Sequence, residues 1–218
     1  MSASTGLLQL PFPSADKTMS TKIDKRTVRR IKTRQAFFDA AVTLFSDKGL
    51  EATTMEDIAK AAGAGRSTLF LHFETKLDIL KEFYLRFVEE VVATARERWI
   101  GEYREDLDCI LEAWGDYSQK HRPIVSCLAS LAMGHGPLAP TEEEADRILS
   151  EAFIEVASSA PAGTLRDDLK REEHVALLIA MLTVTSHDWV NGGMDGSLTP
   201  LLLRRFSLLH EGLQPAIK

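Results

Sequence analysis

Apolar side chains recur along most of the chain with the period of an α-helix. Between residues 27 and 47 they share one side of a helix. The same period predicts helices over 54–62, 66–73, 76–99, 107–118, 123–133, 142–156, 166–190 and 198–213. We find no segment with the alternation of apolar and polar residues that is typical of a β-strand. The pattern therefore predicts an all-α protein.

Two of the predicted helices are short and are separated by a glycine. Thr54 supplies a hydroxyl at the N-cap of the helix 54–62, and Asp57 is a shorter version of the glutamate that completes a capping box. Gly63 ends this helix after two turns. The helix 66–73 then follows, with an inner side formed by Leu69 and Phe73.

The charge of the chain is unevenly distributed. The net charge is −6, but residues 1–81 carry +4 and residues 82–218 carry −10. We expect residues 1–26 to form a flexible basic tail. Such a basic end favours contact with nucleic acid, although a charge run alone also fits a solvated helix start. The basic residues of this end, opposed only by Asp24, are Lys22, Lys25, Arg26, Arg29, Arg30, Lys32 and Arg34.

A basic arm followed by two short helices and a turn is the layout of a helix-turn-helix that enters the major groove of DNA. Arg66 can donate two hydrogen bonds to guanine N7 and O6. Ser67 and Thr68 suit phosphate oxygens or the thymine methyl group. On a helix over 66–73, the outward residues are Arg66, Ser67, Thr68, Phe70, Leu71 and His72.

Residues 40–49 (AAVTLFSDKG) and 52–59 (ATTMEDIA), together with the later pairs Ala62-Gly63 and His72-Phe73, resemble the TetR family of bacterial transcriptional regulators. The resemblance covers roughly residues 30–80. It implies that seven positions contact DNA, namely Thr54, Arg66, Ser67, Thr68, Phe70, His72 and Lys76.

The chain departs from the family pattern at one of these seven positions and at one position beside them. The family usually has tyrosine where Phe70 stands, so this chain lacks a hydroxyl that could meet a phosphate. Gly65 stands where a serine or threonine usually caps the second short helix, a change that costs only a few tenths of a kcal/mol.

The resemblance also implies a homodimer whose C-terminal helices form an effector pocket and a four-helix interface. Segments 166–190 and 198–213 carry more apolar surface than one subunit is expected to cover, which favours burial against a partner. Aromatic and polar residues on one predicted helix face are candidates for the pocket wall, although an ordinary core is the alternative. The candidates are Trp114, Tyr117 and His121, with Cys127, Phe153 and Trp189 as weaker members.

Other classes of site find no support in the sequence. Segment 63–68 lacks the glycine, lysine and preceding strand of a phosphate-binding loop. The six histidines show no metal-binding spacing, and we expect no catalytic set, no metal and no cofactor. The two cysteines, Cys109 and Cys127, have no CxxC spacing, and no apolar run approaches the ~20 residues of a membrane helix. We therefore expect a cytoplasmic protein.

These observations predict three parts: the tail 1–26, a DNA-binding domain 27–75, and an effector-binding and dimerisation domain 76–218. The leading hypothesis is a DNA-binding transcriptional regulator that binds a palindromic operator as a homodimer and responds to a small molecule. Repression, rather than activation, is what the resemblance implies. The alternatives are an architectural DNA-binding dimer without an effector and, more remotely, an enzyme built on a helical bundle.

Overall fold

The structure, a computed structural model, describes residues 24–131, 136–165 and 168–213. Within these ranges the chain contains nine α-helices and no β-strand, which confirms the all-α prediction. The helices are α1 (Lys25–Lys48), α2 (Met55–Ala61), α3 (Arg66–Phe70), α4 (Lys76–Arg96), α5 (Tyr103–Lys120), α6 (Arg122–Leu131), α7 (Ala139–Ser158), α8 (Arg171–Asn191) and α9 (Leu198–Leu213).

The helices form a small N-terminal group and a larger bundle, as predicted. Helix α1 packs against α2, and α2 packs against α3. In the bundle, α4 packs against α5 and α7, α5 against α9, and α8 against both α7 and α9. The predicted domain limits, 27–75 and 76–218, stay a prediction, and residues 1–23 of the predicted tail lie outside the described residues.

Capping boxes begin two of the helices. At α2, the Asp57 N–H donates to Thr54 Oγ1 over 3.1 Å, and the Thr54 N–H donates to Asp57 Oδ2 over 3.0 Å. The short capping box predicted there is therefore confirmed. Thr75 and Asp78 form the same pair of bonds at the start of α4. Each pair satisfies amide groups that have no partner within the helix.

Several predicted helix limits differ from the observed ones. The second short helix ends at Phe70 rather than at residue 73, since the chain must turn before Thr75 caps α4. Helix α4 ends at Arg96 rather than at residue 99. Helix α8 begins at Arg171 rather than at residue 166. Lys170 has an extended backbone conformation, and its N–H donates to Glu173 Oε2 over 2.7 Å, which marks the start of the helix. Residues 166 and 167 lie outside the described residues.

Helices α5 and α9 approach each other very closely at one glycine. Gly115 is buried on α5, and a Cβ atom there would lie 2.9 Å from the Cα of Thr199 and 3.0 Å from its Cβ. No L side chain fits at that distance from backbone without a shift. Gly115 therefore allows the two helices to lie nearly backbone to backbone.

Among the described residues, no helix combines the length and the apolar character that crossing a membrane requires.

Candidate nucleic-acid interface and internal cavity

The turn between α2 and α3 is built around Gly63. Its φ angle is +66°, in the left-handed region that favours glycine, and its N–H donates to Lys60 O over 3.1 Å. On either side, Ile58 and Leu69 are fully buried and hold α2 and α3 against the core. The turn and these two anchors fix the direction in which α3 presents its outer side.

The outer side of α3 is open to solvent. Arg66, Ser67 and Phe70 are exposed, Thr68 is half-buried, and Leu71, just after the helix, is 78% exposed. The Arg66 guanidinium lies 5.4 Å from the centre of the Phe70 ring, within the range of a cation–π contact. This short helix thus presents a cation, two hydroxyls and two apolar side chains on one surface.

Two of the residues predicted to contact DNA have internal partners. Half-buried His72 lies against Phe37, with 5.8 Å between ring centres, and burial together with nearby arginine charges lowers its pKa. The Lys76 ammonium donates to the Leu50 carbonyl over 2.7 Å and so connects the start of α4 to the turn between α1 and α2. Thr54, in contrast, is exposed although its hydroxyl oxygen caps α2.

A concave surface of about 450 Å³ lies between the start of α1 and the turn after α2. Lys25, Arg29 and Lys32 line its α1 side, and Gly63 and Ala64 line the other. Three cations beside exposed backbone favour an anionic partner. The sequence predicted the basic run but not the groove, because the groove needs the turn to fold back onto α1.

Sequence reasoning also missed a charged network that connects α1, the end of α3 and α4. Arg34 donates to the His72 carbonyl and to Glu82, and Glu82 also pairs with Arg86. Arg86 donates to Gln35 Oε1 over 2.8 Å. The two guanidinium groups lie 4.0 Å above aromatic ring centres, Arg34 above Phe73 and Arg86 above Phe38. The partners are up to 51 residues apart in the chain, so no local pattern shows them.

A cavity of about 260 Å³ lies inside the larger bundle, where helices α4 to α8 meet. Trp114 closes one side, and its Nε1–H donates to Ser186 Oγ over 3.0 Å. Ser186 in turn donates to the Leu182 carbonyl over 2.8 Å. The remaining lining residues are Tyr84, Phe87, Ser118, Val125, Leu128, Ala129, Leu138, Glu142, Asp146, Leu149, Thr183, His187 and Val190.

Two acidic residues of α7, Glu142 and Asp146, lie one turn apart in the lining of the cavity. Burial, followed by the charge of Glu142, raises the pKa of the Asp146 carboxyl. Burial and both carboxylates raise the pKa of Tyr84. The cavity thus has an acidic end beside an aromatic wall.

The predicted pocket residues separate into those at the cavity and those elsewhere. Trp114 lines it, while Tyr117 and His121 lie outside the lining and in contact with each other, with their rings tilted and 4.5 Å between ring centres. Phe153 is fully buried, and Trp189 is buried with the Arg122 guanidinium 5.3 Å from its ring centre. Half-buried Cys127 is also outside the lining.

Residues 37–83, which contain the turn and α3, match the family model of bacterial regulatory proteins of the tetR family. The predicted resemblance over residues 30–80 is therefore confirmed. The region matched is the helix-turn-helix segment of that class, set within an all-α fold.

The curated relatives match mainly this segment. The chain is 38% identical over 85 residues to the transcriptional repressor KstR2 of Rhodococcus jostii. This match covers 39% of this chain and 37% of that protein. It is 42% identical over 53 residues to the transcriptional regulator AcrR of Shigella flexneri, covering 24% of this chain and 25% of that protein. The chain therefore matches between 25% and 37% of the length of these relatives.

Solved structures resemble the whole fold. The transcriptional repressor FadR of Thermus thermophilus, in complex with lauroyl-CoA, superposes with a TM-score of 0.65 at 22% identity. The match covers 85% of this chain and 97% of that one. It confirms an N-terminal helix-turn-helix joined to a larger helical bundle.

Proposed function

We propose that this protein is a DNA-binding transcriptional regulator, a repressor that binds a palindromic operator as a homodimer and releases it when a small molecule binds. The observation that carries the proposal is the exposed outer side of α3. Leu69 anchors the helix to the core while Arg66, Ser67 and Phe70 point to solvent. If this side of α3 were buried, the helix could not contact DNA.

In this proposal α3 enters the major groove and its side chains contact base edges. Arg66 donates to guanine N7 and O6, and Ser67 and Thr68 meet phosphates or a thymine methyl group. Phe70 and Leu71, both exposed, add apolar contacts to thymine methyl groups. The position of Phe70 above Arg66 limits the directions that the guanidinium can take.

Contacts to phosphates hold the register of the complex. The Thr54 hydroxyl is exposed at the start of α2, where it can donate to a phosphate. The basic side of α1, formed by Lys25, Arg29 and Lys32, lies next to the turn and continues the positive surface. His72 and Lys76 have internal partners, so we assign them to the support of α3 as well as to the rim of the interface.

The second part of the proposal is a two-fold dimer through α8 and α9. Leu177 and Val184 on α8, and Leu208 on α9, are large apolar side chains left exposed. Pairing these faces across a two-fold axis forms a four-helix interface. Two copies of α3 then face successive major grooves, roughly 34–36 Å apart or a multiple of it.

The third part is the response to an effector. The cavity is largely apolar and contains a few polar groups, as small-molecule sites do. Occupancy that favours one arrangement of α4 to α8 shifts the dimer toward a spacing that no longer fits the operator. The cavity is also the observation that favours this function over an architectural DNA-binding dimer. We expect the protein to act in the cytoplasm, where operator DNA is found.

Selection of bound sequences from random DNA at a stated salt concentration tests the proposal. We expect a palindromic sequence to be enriched, because two copies of α3 bind equivalent half-sites. Enrichment of single half-sites, or of no sequence, would contradict it. Salt must be fixed, since contacts to phosphates weaken as salt rises.

On the selected operator, we expect Arg66→Ala to weaken specific binding by ~1–3 kcal/mol while binding to unrelated DNA changes much less. Fluorescence anisotropy with both DNAs measures the difference. Arg147→Ala is the matched control, because Arg147 is an exposed arginine on α7, outside the proposed interface. Equal operator affinity for Arg66→Ala and the unaltered protein would exclude Arg66 from base contacts.

Lys76→Ala, in contrast, is expected to weaken binding to the operator and to unrelated DNA alike.

A further inference from the structure

The cavity in the larger bundle has a chemical character that indicates what it binds. Three aromatic side chains, Tyr84, Phe87 and Trp114, form one side of it. Phe87 and Trp114 are in direct contact, with 4.5 Å between ring centres. The faces of aromatic rings carry partial negative charge and attract cations.

The charged residues of the lining all have the same sign at neutral pH. Glu142 and Asp146 project from the same face of α7, and among the described residues that line the cavity none is lysine or arginine. Glu142 is half-buried and Asp146 is exposed, and each carboxylate adds to the negative potential around the other. His187 is the remaining titratable side chain of the lining besides Tyr84.

A buried hydroxyl without a partner lies in the same cavity. Ser118 is fully buried on α5, and its Oγ atom has no hydrogen-bond partner. A buried polar atom without a partner is costly, so in native structures such atoms mostly have one. A bound molecule with a polar group can supply the partner that the protein lacks here.

We propose that this cavity binds an organic cation: an amine or ammonium compound with an apolar or aromatic body. The aromatic wall and the two carboxylates attract its charge, and Ser118 Oγ accepts a hydrogen bond from an ammonium N–H. The inference rests on the proposed function, since it names the chemical class of the effector.

The same features disfavour an acyl-CoA, such as the lauroyl-CoA bound by FadR of Thermus thermophilus. A coenzyme A thioester carries anionic phosphates, which would meet like charges at Glu142 and Asp146. At about 260 Å³ the cavity lies just below the ~300–1,000 Å³ range of ligand pockets, which suits a compact ligand.

The test is calorimetric titration of the full chain, without DNA, with three probes that share a phenylpropyl body. These probes are 3-phenylpropylammonium, 3-phenylpropanol and 3-phenylpropionate, and lauroyl-CoA is titrated beside them. We expect the ammonium compound to bind at least about tenfold more tightly than the alcohol, and the carboxylate to bind more weakly than either. Equal affinities for the three probes, or tighter binding of the carboxylate or of lauroyl-CoA, would overturn the proposal.

Two variants distinguish the cavity from the general negative charge of the protein. Asp146→Asn keeps the shape of the side chain but removes its charge, and we expect it to weaken binding of the ammonium compound by roughly tenfold while affinity for the alcohol is unchanged. Glu143→Gln removes the same charge from an exposed residue of α7 outside the lining, and we expect no effect. Equal effects of the two variants would show diffuse attraction and contradict the proposal.

Ser118→Ala tests the hydroxyl separately, and we expect a several-fold loss for the ammonium probe. An unchanged affinity would remove Ser118 from the proposed site. Because no DNA is present, these results do not depend on operator binding. A chain that binds the cation but selects no DNA sequence would contradict the proposed function alone, and one that selects a palindrome but prefers the anion would contradict this inference alone.

Discussion

Neutral histidine at position 121 illustrates how burial sets the charge of a single side chain. His121 is 8% exposed and lies between aromatic rings, 5.3 Å from Phe83 and 4.5 Å from Tyr117 between ring centres. Neither ring nitrogen has a hydrogen-bond partner. Burial, assisted by the charge of Lys120, lowers its pKa to about 4. The side chain is therefore uncharged in the folded protein at neutral pH.

This pKa predicts a loss of stability in mild acid. Because the folded-state pKa is depressed, the unfolded chain takes up a proton near pH 6.5 while the folded chain does so only near pH 4. Stability should therefore fall as the pH falls through this window. Between about pH 7 and pH 5, we expect the free energy of unfolding of the unaltered protein to fall by roughly 2 kcal/mol more than that of His121→Phe. Urea unfolding at each pH measures both values.

The comparison between the two proteins isolates His121. His72 and His210 also have lowered pKa values, but both are present in the variant and their effect cancels in the difference. Parallel stability curves for the two proteins would show that His121 is not held neutral by the fold.

At the residue scale, the sequence could predict the role of a side chain when its hydrogen-bond partner is only a few residues away in the chain. The capping role of Thr54 and Asp57 depends on a spacing of three residues and was predictable. The partner of Lys76 was not, because the Leu50 carbonyl is 26 positions away in the chain. A lysine at a helix start has the same local pattern whether its ammonium group reaches solvent, DNA or a carbonyl of its own chain.

At the scale of helices, the apolar period predicted each element but not how the elements are connected by charge. Glu82 on α4 accepts from Arg34 of α1 and from Arg86 of its own helix, and it is largely shielded from solvent. It therefore joins the helix that precedes the helix-turn-helix to the helix that follows it. Through Arg34, the same network also reaches the His72 carbonyl just after α3.

We expect Glu82→Gln to lower the free energy of unfolding by about 1–3 kcal/mol, because two guanidinium groups lose their shared carboxylate. Urea unfolding measures the loss. Glu89→Gln is the control, since Glu89 is an exposed glutamate on the same helix without a described ion pair, and it should change stability little. Equal stabilities for the two variants would mean that the network does not support α4.

At the scale of the whole molecule, the distribution of exposed apolar residues defines the proposed dimer. Leu208 is 60% exposed on α9, and Val184 is 54% exposed on α8. A polar replacement there has little effect on a single subunit but a large one on an apolar interface. The excess apolar character of both helices was visible in the sequence, because it exceeds the stripe that one bundle can cover.

We expect Leu208→Glu to convert the dimer to monomers, because the change would bury a charge at an apolar contact. Light scattering coupled to size-exclusion chromatography measures the mass. Ile100→Glu makes the same kind of change at a residue that is 69% exposed before α5, and it should leave the dimer intact. A dimeric Leu208→Glu protein, or a monomeric unaltered one, would contradict the interface.

The sequence predicted that the C-terminal helices form an effector pocket, but not which residues line most of it. Its lining comes from several helices, α4 to α8, and its acidic end depends on α7 lying beside Tyr84 of α4. Trp114 was found from its spacing on one helix face, whereas Glu142 and Asp146 look like ordinary surface acids in the sequence. Their place in the cavity depends on helix packing, which brings them next to the aromatic side chains of the lining.

The close approach at Gly115 gives this architecture a mechanical property. Gly115 directly follows Trp114, which closes the cavity, and its backbone lies against Thr199 of α9. The small Thr199 side chain lies directly against the Gly115 backbone there, so little space remains for the two helices to move together. We therefore expect a ligand that displaces Trp114 to press on α9 as well, which would couple the cavity to the proposed contact between subunits.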